Sequence, residues 1–316
     1  MKGAVLVTGA SGLVGGAVLR HLLAAGHPVV AALRRPMPMP DGVTVRPIGD
    51  LGPATDWRAA LDGVDAVVHA AARVHQIDEP LGDALAVYRQ ANRDGTLGLA
   101  RQAQEAGVRR FVFISTAKVM GESSALGHPF TENDPPAPAD AYAVSKWEAE
   151  QAVMALPGLE SVVLRPPLVY GPGVKANLQS LMKVLVRGLP LPLGAVRNRR
   201  SLVGATNLAQ AVRLALTHPQ AVGRTYLVSD WTASSPELVR QIAKALGRSA
   251  RLLPVPSGLI RLGGWLLGRP EIVERVLGSL EISAKRLTEE LGWNPTLPPA
   301  LELARMADEF RAKQGL

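Results

Sequence analysis

Cysteine is absent from this chain of 316 residues. Without it the protein has no disulfide, no thiolate nucleophile and no cysteine-ligated metal. The 6 histidines are not closely paired in the sequence, so we expect no metal site of another kind. The N-terminal segment MKGAVLVTGA also lacks the charged, apolar and cleavage regions of a signal peptide. Together these absences predict a cytoplasmic protein.

Aromatic residues make up only 4% of the chain, and long apolar runs are missing. The net charge of +8 raises the question of a nucleic-acid partner, but basic residues are scattered from Arg20 to Arg311 and few rings are available for stacking. We therefore expect no nucleic-acid binding, and a positive charge that suits phosphorylated small molecules. The best candidate for a membrane span, near residues 259–267, is interrupted by Arg261 and is shorter than the ~18 residues required. We expect a soluble protein without membrane insertion.

The first half of the chain alternates short β-branched runs with longer helical patterns. This alternation is typical of a parallel sheet whose right-handed crossovers place helices on both faces. We predict an α/β fold with a doubly wound parallel sheet of the Rossmann type. The strand candidates are residues 5–8, 29–33, 65–70, 110–115 and 161–165, and the main helical patterns are residues 12–25, 81–106 and 141–155.

The pattern changes after Tyr170, where turns rich in proline and glycine interrupt a mostly helical remainder. We predict a first domain over residues 1–170 and a smaller, mostly helical domain over residues 171–316. Two later segments, residues 201–212 and 224–230, are candidates to return to the first domain.

A glycine-rich turn follows the first predicted strand and precedes the first predicted helix. Three glycines at this spacing let backbone amides approach a pyrophosphate at the N-terminus of a helix. Its place at the start of the chain, with a helix and a second strand after it, distinguishes it from an ordinary glycine-rich turn. The first domain is therefore predicted to bind a dinucleotide, with contacts from Gly9, Ser11, Gly12, Leu13, Val14 and Gly15.

The end of the second predicted strand carries Arg34 and Arg35 and no acidic residue. A carboxylate at this place accepts hydrogen bonds from the adenosine ribose and repels a 2′-phosphate, whereas guanidinium groups pair with phosphate. We therefore expect NADP(H) to be favoured over NAD(H); the alternative is that both arginines are simply solvated. Asp50 and Leu51, after the third strand, are candidates to meet the adenine. The small residues after the fourth strand, where the backbone lies close to the dinucleotide, are Ala70, Ala71 and Ala72.

Tyr142 and Lys146 form a YxxxK pair, which places both side chains on one face of a predicted helix. Thr116 ends a predicted strand, at the edge where α/β sheets bind ligands. When a hydride moves between a nicotinamide and a carbon atom, a proton moves to or from oxygen, so an acid/base is required. An ammonium ~4 Å from a phenol supplies most of the ~4 kcal/mol needed to bring the pKa of tyrosine from ~10 to near 7. These residues predict a catalytic triad; the alternative is an exposed helical pair.

These and other motifs resemble the extended short-chain dehydrogenase/reductase superfamily, in its branch of sugar-nucleotide epimerases, dehydratases and ketoreductases. The resemblance covers nearly the whole chain. It is carried by TGASGLVGG (8–16), VVHAAA (67–72), NRDGT (92–96), ISTAKVMGE (114–122), YAVSK (142–146), LRPPLVYGPG (164–173), RRSLV (199–203) and ELGWNP (290–295).

The resemblance implies roles for individual residues. Thr116, Tyr142 and Lys146 would be catalytic, and Tyr142 and Lys146 would also contact the dinucleotide, the lysine through the nicotinamide ribose. Pro166 would contact the dinucleotide as well. The C-terminal domain would bind the nucleotide diphosphate of the substrate.

Several basic and polar residues are candidates to bind that substrate. Lys118 is expected at the rim of the pocket, where it either meets the diphosphate or is solvated. By similarity Asn177, Arg200 and Arg275 contact the diphosphate; the alternatives are a helix N-cap for Asn177 and a surface ion pair for Arg200. The candidates to line the sugar pocket, after the fourth strand, are Arg73 and His75.

Departures from the family patterns narrow the choice of reaction. The 4,6-dehydratases carry Thr-Asp-Glu at the strand end, whereas Thr116 is followed here by Ala117 and Lys118, which cannot replace an acid and a carboxylate. We therefore reject dehydratase activity. Leu168 stands where many epimerases have asparagine, which indicates a changed sugar or phosphate contact. The missing acidic residue after the second strand favours a reductase that exchanges NADPH with solution.

The combination of segments resembles most closely the bacterial UDP-4-keto-6-deoxy-N-acetylglucosamine 4-reductases. This implies a reductase acting at C4 of a UDP-sugar for surface polysaccharide synthesis, with Tyr142 donating the proton and Thr116 orienting the carbonyl. The nearest alternative is a UDP-hexose 4-epimerase acting on UDP-glucose or UDP-N-acetylglucosamine with the same residues. A more distant one is a catalytically inactive, NAD(P)-sensing regulator, against which the intact triad argues. The resemblance also implies a homodimer formed through the helices near residues 92–106 and 142–155.

Overall fold

The computed structural model describes residues 3–74, 84–268 and 270–315. Within these residues ten strands form two sheets. The strands are β1 (Ala4–Thr8), β2 (Val29–Leu33), β3 (Val43–Pro47), β4 (Val64–His69), β5 (Arg110–Ile114), β6 (Glu160–Arg165), β7 (Leu168–Tyr170), β8 (Arg200–Gly204), β9 (Arg224–Leu227) and β10 (Trp231–Ala233). The larger sheet is parallel, with the order β3-β2-β1-β4-β5-β6-β9, and the smaller has the order β10-β8-β7.

Helices flank the larger sheet and form much of the C-terminal half. A π-helical turn at Arg89–Asp94 lies between the third and fourth α-helices, and 3-10 turns lie at Ala117–Met120 and Pro219–Ala221. No helix of the described residues is long and apolar enough to cross a membrane. The α-helices of these residues are α1 (Leu13–Ala24), α2 (Arg58–Leu61), α3 (Ala84–Tyr88), α4 (Gly95–Glu105), α5 (Ala141–Met154), α6 (Ala176–Val186), α7 (Ala205–Thr217), α8 (Ser235–Ala245), α9 (Ser257–Leu266), α10 (Pro270–Leu277), α11 (Lys285–Leu291) and α12 (Pro299–Gln314).

Each face of the larger sheet is covered by its own apolar core. One core packs α1 and α7 against the strands, and the other packs α2, α4 and α5. Because the strands are buried on both faces, their sequences are almost continuous apolar runs, such as VVAAL in β2. The strand order reverses at β1, which lies between β2 and β4, and leaves a crevice at the carboxyl ends of the strands. This is the place where α/β sheets bind ligands.

The predicted fold is confirmed, and the predicted strands differ from the observed ones by a residue at most at either end. The prediction of a single helix over residues 81–106 is wrong, because the helix is interrupted near its middle. Residues 81–83 lie outside the described residues, and the π-helical turn separates α3 from α4. That turn carries the buried Asn92, whose side-chain amide donates to Ser145 Oγ at 3.0 Å and to the carbonyl of Arg73 at 3.1 Å. Helical periodicity does not signal such long-range contacts.

The smaller sheet is the centre of a third core, packed by α6, α8 and α12. The expectation of a mostly helical C-terminal part missed this sheet, because strands of three to five residues are too short for alternation to show. The return of residues 224–230 is observed, since β9 pairs with β6 at the edge of the larger sheet. Residues 201–212 divide: β8 joins the smaller sheet, and α7 packs on the larger one. The domain boundary between residues 170 and 171 stays a prediction.

Candidate active site

The turn between β1 and α1 is so closely packed that two of its glycines have no room for a side chain. Gly9 has a φ of +67°, and a Cβ on it would lie 2.8 Å from the backbone of Ala70. A Cβ on Gly15 would lie 2.2 Å from the carbonyl oxygen of Gly9. Gly12 is the N-cap of α1, four residues after the carboxyl end of β1. The turn therefore presents the first amides of α1 at the crevice, which fits a pyrophosphate.

A buried hydrogen-bond chain fixes the strand ends beneath this crevice. The Thr8 hydroxyl accepts from the amides of Ala70 and Ala71, both at 3.1 Å, and lies 2.8 Å from His69 Nδ1. His69 Nε2 lies 2.9 Å from the hydroxyl of Thr96. Burial lowers the pKa of His69 to about 3, so the ring is neutral. Two amides already donate to Thr8, so its own proton is directed to Nδ1, and the ring proton is carried by Nε2. This chain of hydrogen bonds holds the segment of small residues after β4 in place.

The three predicted catalytic side chains line one cavity of about 190 Å³ at the carboxyl ends of the strands. Thr116 follows β5 in an extended conformation, and Tyr142 and Lys146 lie one turn apart on α5. Asp140 caps this helix by accepting a hydrogen bond from the amide of Ala143 at 2.7 Å, which sets where the helix begins. The rest of the lining is mostly small or apolar and consists of Val14, Ala70, Ala72, Val74, Ile114, Ser115, Pro166, Pro167 and Val169.

Lys146 is held deep in the wall of this cavity. Its residue is only 1% exposed, and its ammonium donates to the carbonyl oxygen of Ile114 at 2.7 Å. The same nitrogen lies 3.9 Å from the centre of the Phe113 ring. Burial lowers the pKa of Lys146 to about 7, against the opposing effect of the Glu150 carboxylate. Near neutral pH the residue is therefore close to the midpoint of its titration, as is common for groups at functional sites.

Tyr142 is held in its neutral form. Burial raises the pKa of its phenol, and the negative charge of Asp140 adds to the effect. The ring packs edge-on against Tyr88, with 6.2 Å between the ring centres. The expectation that Lys146 supplies most of the shift of the tyrosine pKa toward 7 is wrong for the chain by itself, because desolvation disfavours the charged form of both groups. A phenolate at this position needs a further positive charge in the cavity.

A buried ion pair supports the strand that leads to Thr116. Arg165 on β6 donates to the carboxylate of Glu150 through Nη2 at 2.6 Å and Nε at 3.1 Å, and both side chains are at most 5% exposed. The hydroxyl of Ser115 donates to the same carboxylate. The ends of β5 and β6 are thereby joined to α5 directly behind the cavity. We did not identify either charged residue in the sequence, because a pair formed across the fold leaves no local motif.

The residues expected at the adenosine end follow β2 and β3. Arg34 and Arg35 are exposed after β2. Arg34 lies 3.8 Å from Asp50, and both side chains are largely in solvent. An ion pair this exposed does not hold either side chain in place. It does bring a carboxylate near the end of β2, where the sequence suggested only cations. Leu51 is half-buried and packs against the core formed by α2, α4 and α5.

Lys118 already has two acidic partners. Its ammonium forms an ion pair with Asp140 and lies 3.0 Å from Glu122. The alternative of a solvated lysine is therefore wrong. A contact between Lys118 and a substrate diphosphate stays a prediction, and it requires the lysine to exchange one of these carboxylates for a phosphate.

Arg200 and Arg275 come together near the same acidic residues. Arg200 Nη1 donates to the carbonyl oxygens of Arg275 at 2.6 Å and of Gly278 at 3.1 Å. Burial lowers the pKa of the Arg200 guanidinium, while the carboxylate of Glu122 opposes the shift. Arg275 lies close enough to Asp140 for their charges to interact. Among the described residues Arg200 is thus held by backbone carbonyls, and the alternative of a surface ion pair is wrong.

The remaining residues predicted to contact the substrate are Asn177, Arg73 and His75. Asn177 is exposed in the first turn of α6, where Lys175 occupies the N-cap, so the N-cap alternative for Asn177 is wrong. The backbone N–H of Arg73 donates to the side chain of Asn92 at 2.8 Å, which anchors the segment beside the cavity. His75 lies outside the described residues. Within those residues no group of three or more histidine, aspartate or glutamate side chains could hold a metal ion.

A known protein family matches the part of the chain that forms both the crevice and the cavity. The model of the NAD dependent epimerase/dehydratase family matches residues 5–229, which include the glycine turn and all three predicted catalytic residues. The chain belongs to this family. The predictions of an enzyme and of the extended short-chain dehydrogenase/reductase type are confirmed at this level.

Individual members of this fold and family resemble the whole chain. The UDP-glucose 4-epimerase of Vibrio cholerae is 41% identical over 301 residues, which are 93% of this chain and 92% of that protein. MoeE5, solved in complex with UDP-glucuronic acid and NAD, is 25% identical with a TM-score of 0.77 over 99% of this chain and 100% of its own. The UDP-glucuronic acid 4-epimerase from Bacillus cereus, solved with NAD, is 21% identical with a TM-score of 0.78 over 98% of this chain and 99% of its own, and agrees in fold. The narrower 4-reductase assignment is not confirmed by these relatives.

Proposed function

We propose that the protein is a UDP-hexose 4-epimerase whose catalytic residues are Thr116, Tyr142 and Lys146. The observation that carries this proposal is the cavity where these residues meet, in a chain 41% identical to a UDP-glucose 4-epimerase over 93% of its length. Epimerisation at C4 needs one group that removes and returns a proton, and no acid pair for elimination. Ala117 and Lys118 offer no such pair, so dehydration is not part of the proposal.

The residues around the crevice fit a nicotinamide dinucleotide. The close glycine turn supports binding of the pyrophosphate by the first amides of α1. The small and apolar walls formed by Val14, Ala70, Pro166 and Val169 suit a nicotinamide ring beside Tyr142. When bound, NAD supplies the hydride acceptor and a ring charge that favours the tyrosine phenolate.

The side chains of the cavity then control the proton. Tyr142 takes the proton of the 4-hydroxyl as the C4–H bond breaks, and it returns the proton when that bond forms again on the other face. Thr116 hydrogen-bonds the same oxygen and keeps it in line with the phenol. Lys146, whose pKa burial brings to about 7, would supply positive charge to the cavity when protonated and would hold the nicotinamide ribose. Between the two steps the keto sugar has to turn over, which requires a pocket with few fixed contacts to the sugar ring.

A second candidate function is reduction of a 4-keto-6-deoxy sugar nucleotide by NADPH. It is favoured by one observation, the exposed Arg34 and Arg35 after β2, which suit a 2′-phosphate. For this reaction Tyr142 would donate a single proton for each NADPH consumed. Epimerisation requires the dinucleotide to stay bound through both hydride steps, whereas reduction requires its exchange. The two candidates therefore differ in net consumption of NADPH.

The substrate and the assembly follow from the same proposal. The diphosphate of the UDP-sugar lies against Arg200 and Arg275, with Asn177 at the entrance to α6. Lys118 and Arg73 approach the sugar and its phosphates from the first domain. In this arrangement the first predicted domain binds the dinucleotide, the second binds the sugar nucleotide, and two copies pair through α4 and α5.

The deciding experiment supplies the purified protein with UDP-glucose or UDP-N-acetylglucosamine, and separately with NADPH and UDP-4-keto-6-deoxy-N-acetylglucosamine. Inversion at C4 without net change of the dinucleotide supports the epimerase. Stoichiometric oxidation of NADPH without inversion would overturn it in favour of the reductase. Dinucleotide binding with no turnover of any of these sugars would overturn both and support a regulator.

A further inference from the structure

Helix α9 presents a row of large apolar side chains to solvent. Such a concentration is unusual, because apolar side chains on a monomeric protein are normally exposed singly. Four of them share one side of the helix, and the buried Gly264 lies on the opposite side. The α9 apolar face consists of Leu259, Leu262, Trp265, Leu266 and, at the helix end, Leu267, all between 52% and 78% exposed.

The sequence around this face is positively charged. Arg248 and Arg251 are exposed on the segment that leads into α9. On the helix itself Arg261 pairs with Glu274 of α10 at 2.7 Å, which leaves the apolar side uninterrupted by charge. Residues 238–270 contain no aspartate or glutamate, and their basic residues are Arg240, Lys244, Arg248, Arg251, Arg261 and Arg269.

Apolar surface continues from α9 into the neighbouring loops. Leu253, just before the helix, is exposed. An isolated β-bridge between Leu191 and Leu252 joins this segment to a second loop, in which Leu189 is exposed as well. Two adjoining stretches of chain therefore carry exposed apolar side chains beside the segment that leads into α9.

We propose that the α9 apolar face docks the protein onto the surface of an anionic phospholipid bilayer. Leucine and tryptophan on one side of a helix, with basic residues around them, is the composition of helices that lie in the membrane interface. Ten residues extend ~15 Å, half the thickness of a bilayer core, so the helix lies on the membrane and does not span it. A symmetric contact with a second copy would bring the same basic residues against each other, whereas anionic headgroups neutralise them.

The docking face is connected to the candidate active site. Helix α9 packs against α10, and Arg200 donates its hydrogen bonds to the carbonyls of Arg275 and Gly278 at the end of α10. A protein held by α9 therefore has this side of its site near the membrane. Docking depends on the exposed side chains and their charge, so it is independent of the reaction that the site performs.

The test is co-sedimentation of the full chain with vesicles of phosphatidylcholine alone or of phosphatidylcholine mixed equally with phosphatidylglycerol. At low salt we expect at least about tenfold stronger binding to the mixed vesicles. The variant Leu262→Ser, Trp265→Ser, Leu266→Ser should lose about tenfold or more of that binding. The matched control, Leu126→Ser with Leu301→Ser, removes similarly exposed leucines elsewhere and should bind like the unaltered chain.

Two further readouts keep the proposal testable if the triple variant does not fold. Mixed vesicles should shift the tryptophan emission to shorter wavelength, and Trp265→Phe should abolish the shift, because the other tryptophans are more buried. Arg248→Gln with Arg251→Gln should weaken binding to mixed vesicles and not to neutral ones. Equal binding by the triple variant and the unaltered chain overturns the proposal. So does a triple variant that becomes monomeric while the unaltered chain ignores vesicles, since the face then belongs to a second copy.

Discussion

The ammonium of Lys146 donates a hydrogen bond to the carbonyl oxygen of Ile114 from a position only 1% exposed. The donor belongs to α5 and the acceptor ends β5, so the bond ties the helix that carries Tyr142 to the strand that leads to Thr116. Burial of the cation disfavours its charged form and brings its pKa to about 7. The geometry of the site thus includes a charge that opposes folding at and below neutral pH.

Lys146→Met should change how stability depends on pH. The lysine pKa is about 7 in the folded chain, against the ordinary 10.5, so between these values the unfolded chain binds more protons and the free energy of unfolding rises with pH. The rise approaches ~1.4 kcal/mol per pH unit, and the methionine variant should lack it. Urea unfolding of both proteins from neutral pH to pH ~9 measures the difference. Lys244→Met, at an exposed position, is the control and should follow the unaltered chain; parallel curves for Lys146→Met would show that the lysine is not titrating as stated.

Tyr142→Phe should lower kcat for C4 inversion by ~10² or more, because the variant has no hydroxyl to move the proton. Dinucleotide binding should be unchanged, since the ring remains. Tyr226→Phe is the control: its hydroxyl donates to Glu290 at 2.8 Å, and the residue does not line the cavity. Steady-state kinetics and a dinucleotide titration of both variants check the prediction. Near-normal turnover by Tyr142→Phe would exclude the tyrosine as the proton-transfer group.

Glu150→Gln should destabilise the fold by about 3–5 kcal/mol, because it leaves the guanidinium of Arg165 buried without its charge partner. Glu148→Gln on the same helix is the matched control. The Glu148 carboxylate lies 2.5 Å from Arg89, but both side chains are partly in solvent, so the expected loss is under about 1 kcal/mol. Denaturant unfolding of the two variants under the same conditions compares them. Similar losses would mean that burial does not set the strength of the Glu150 pair.

Arg34→Ala with Arg35→Ala should weaken NADP(H) binding about tenfold or more and NAD(H) much less, because only the 2′-phosphate loses cationic partners. Asp50→Asn should act in the opposite direction, since it removes the carboxylate that lies 3.8 Å from Arg34. Calorimetric titration with both dinucleotides measures the ratio of affinities for each variant. Equal losses for the two dinucleotides would remove the argument for a preference for NADP(H).

The larger sheet and the meeting of Thr116, Tyr142 and Lys146 in one cavity could be predicted because their signals are local. Buried parallel strands are continuous apolar runs, as in β2, and their carboxyl ends meet at one edge. The glycines of the turn lie within eight residues of one another, and Tyr142 and Lys146 lie on the same helical face. Once the strands are placed, Thr116, two residues after β5, is expected beside them without further information.

The supporting contacts could not be predicted, because they join residues far apart in sequence. Thr8 and His69 are separated by 61 positions, and nothing near either one indicates a partner. The pKa of Tyr142 shows a different limit. A Coulomb estimate from the lysine spacing predicts a lowered pKa, but the desolvation that reverses it depends on packing known only from the fold.

The position of β9 has a consequence for synthesis of the protein. This strand closes the edge of the larger sheet beside β6, yet Arg224–Leu227 is translated after β7, β8 and α7. A nascent chain that ends before Arg224 therefore has β6 as an unpaired edge, which is open to pairing with another chain. The sheet beneath the candidate active site is completed only when about three-quarters of the polypeptide has left the ribosome, so we expect truncated translation products of this protein to aggregate.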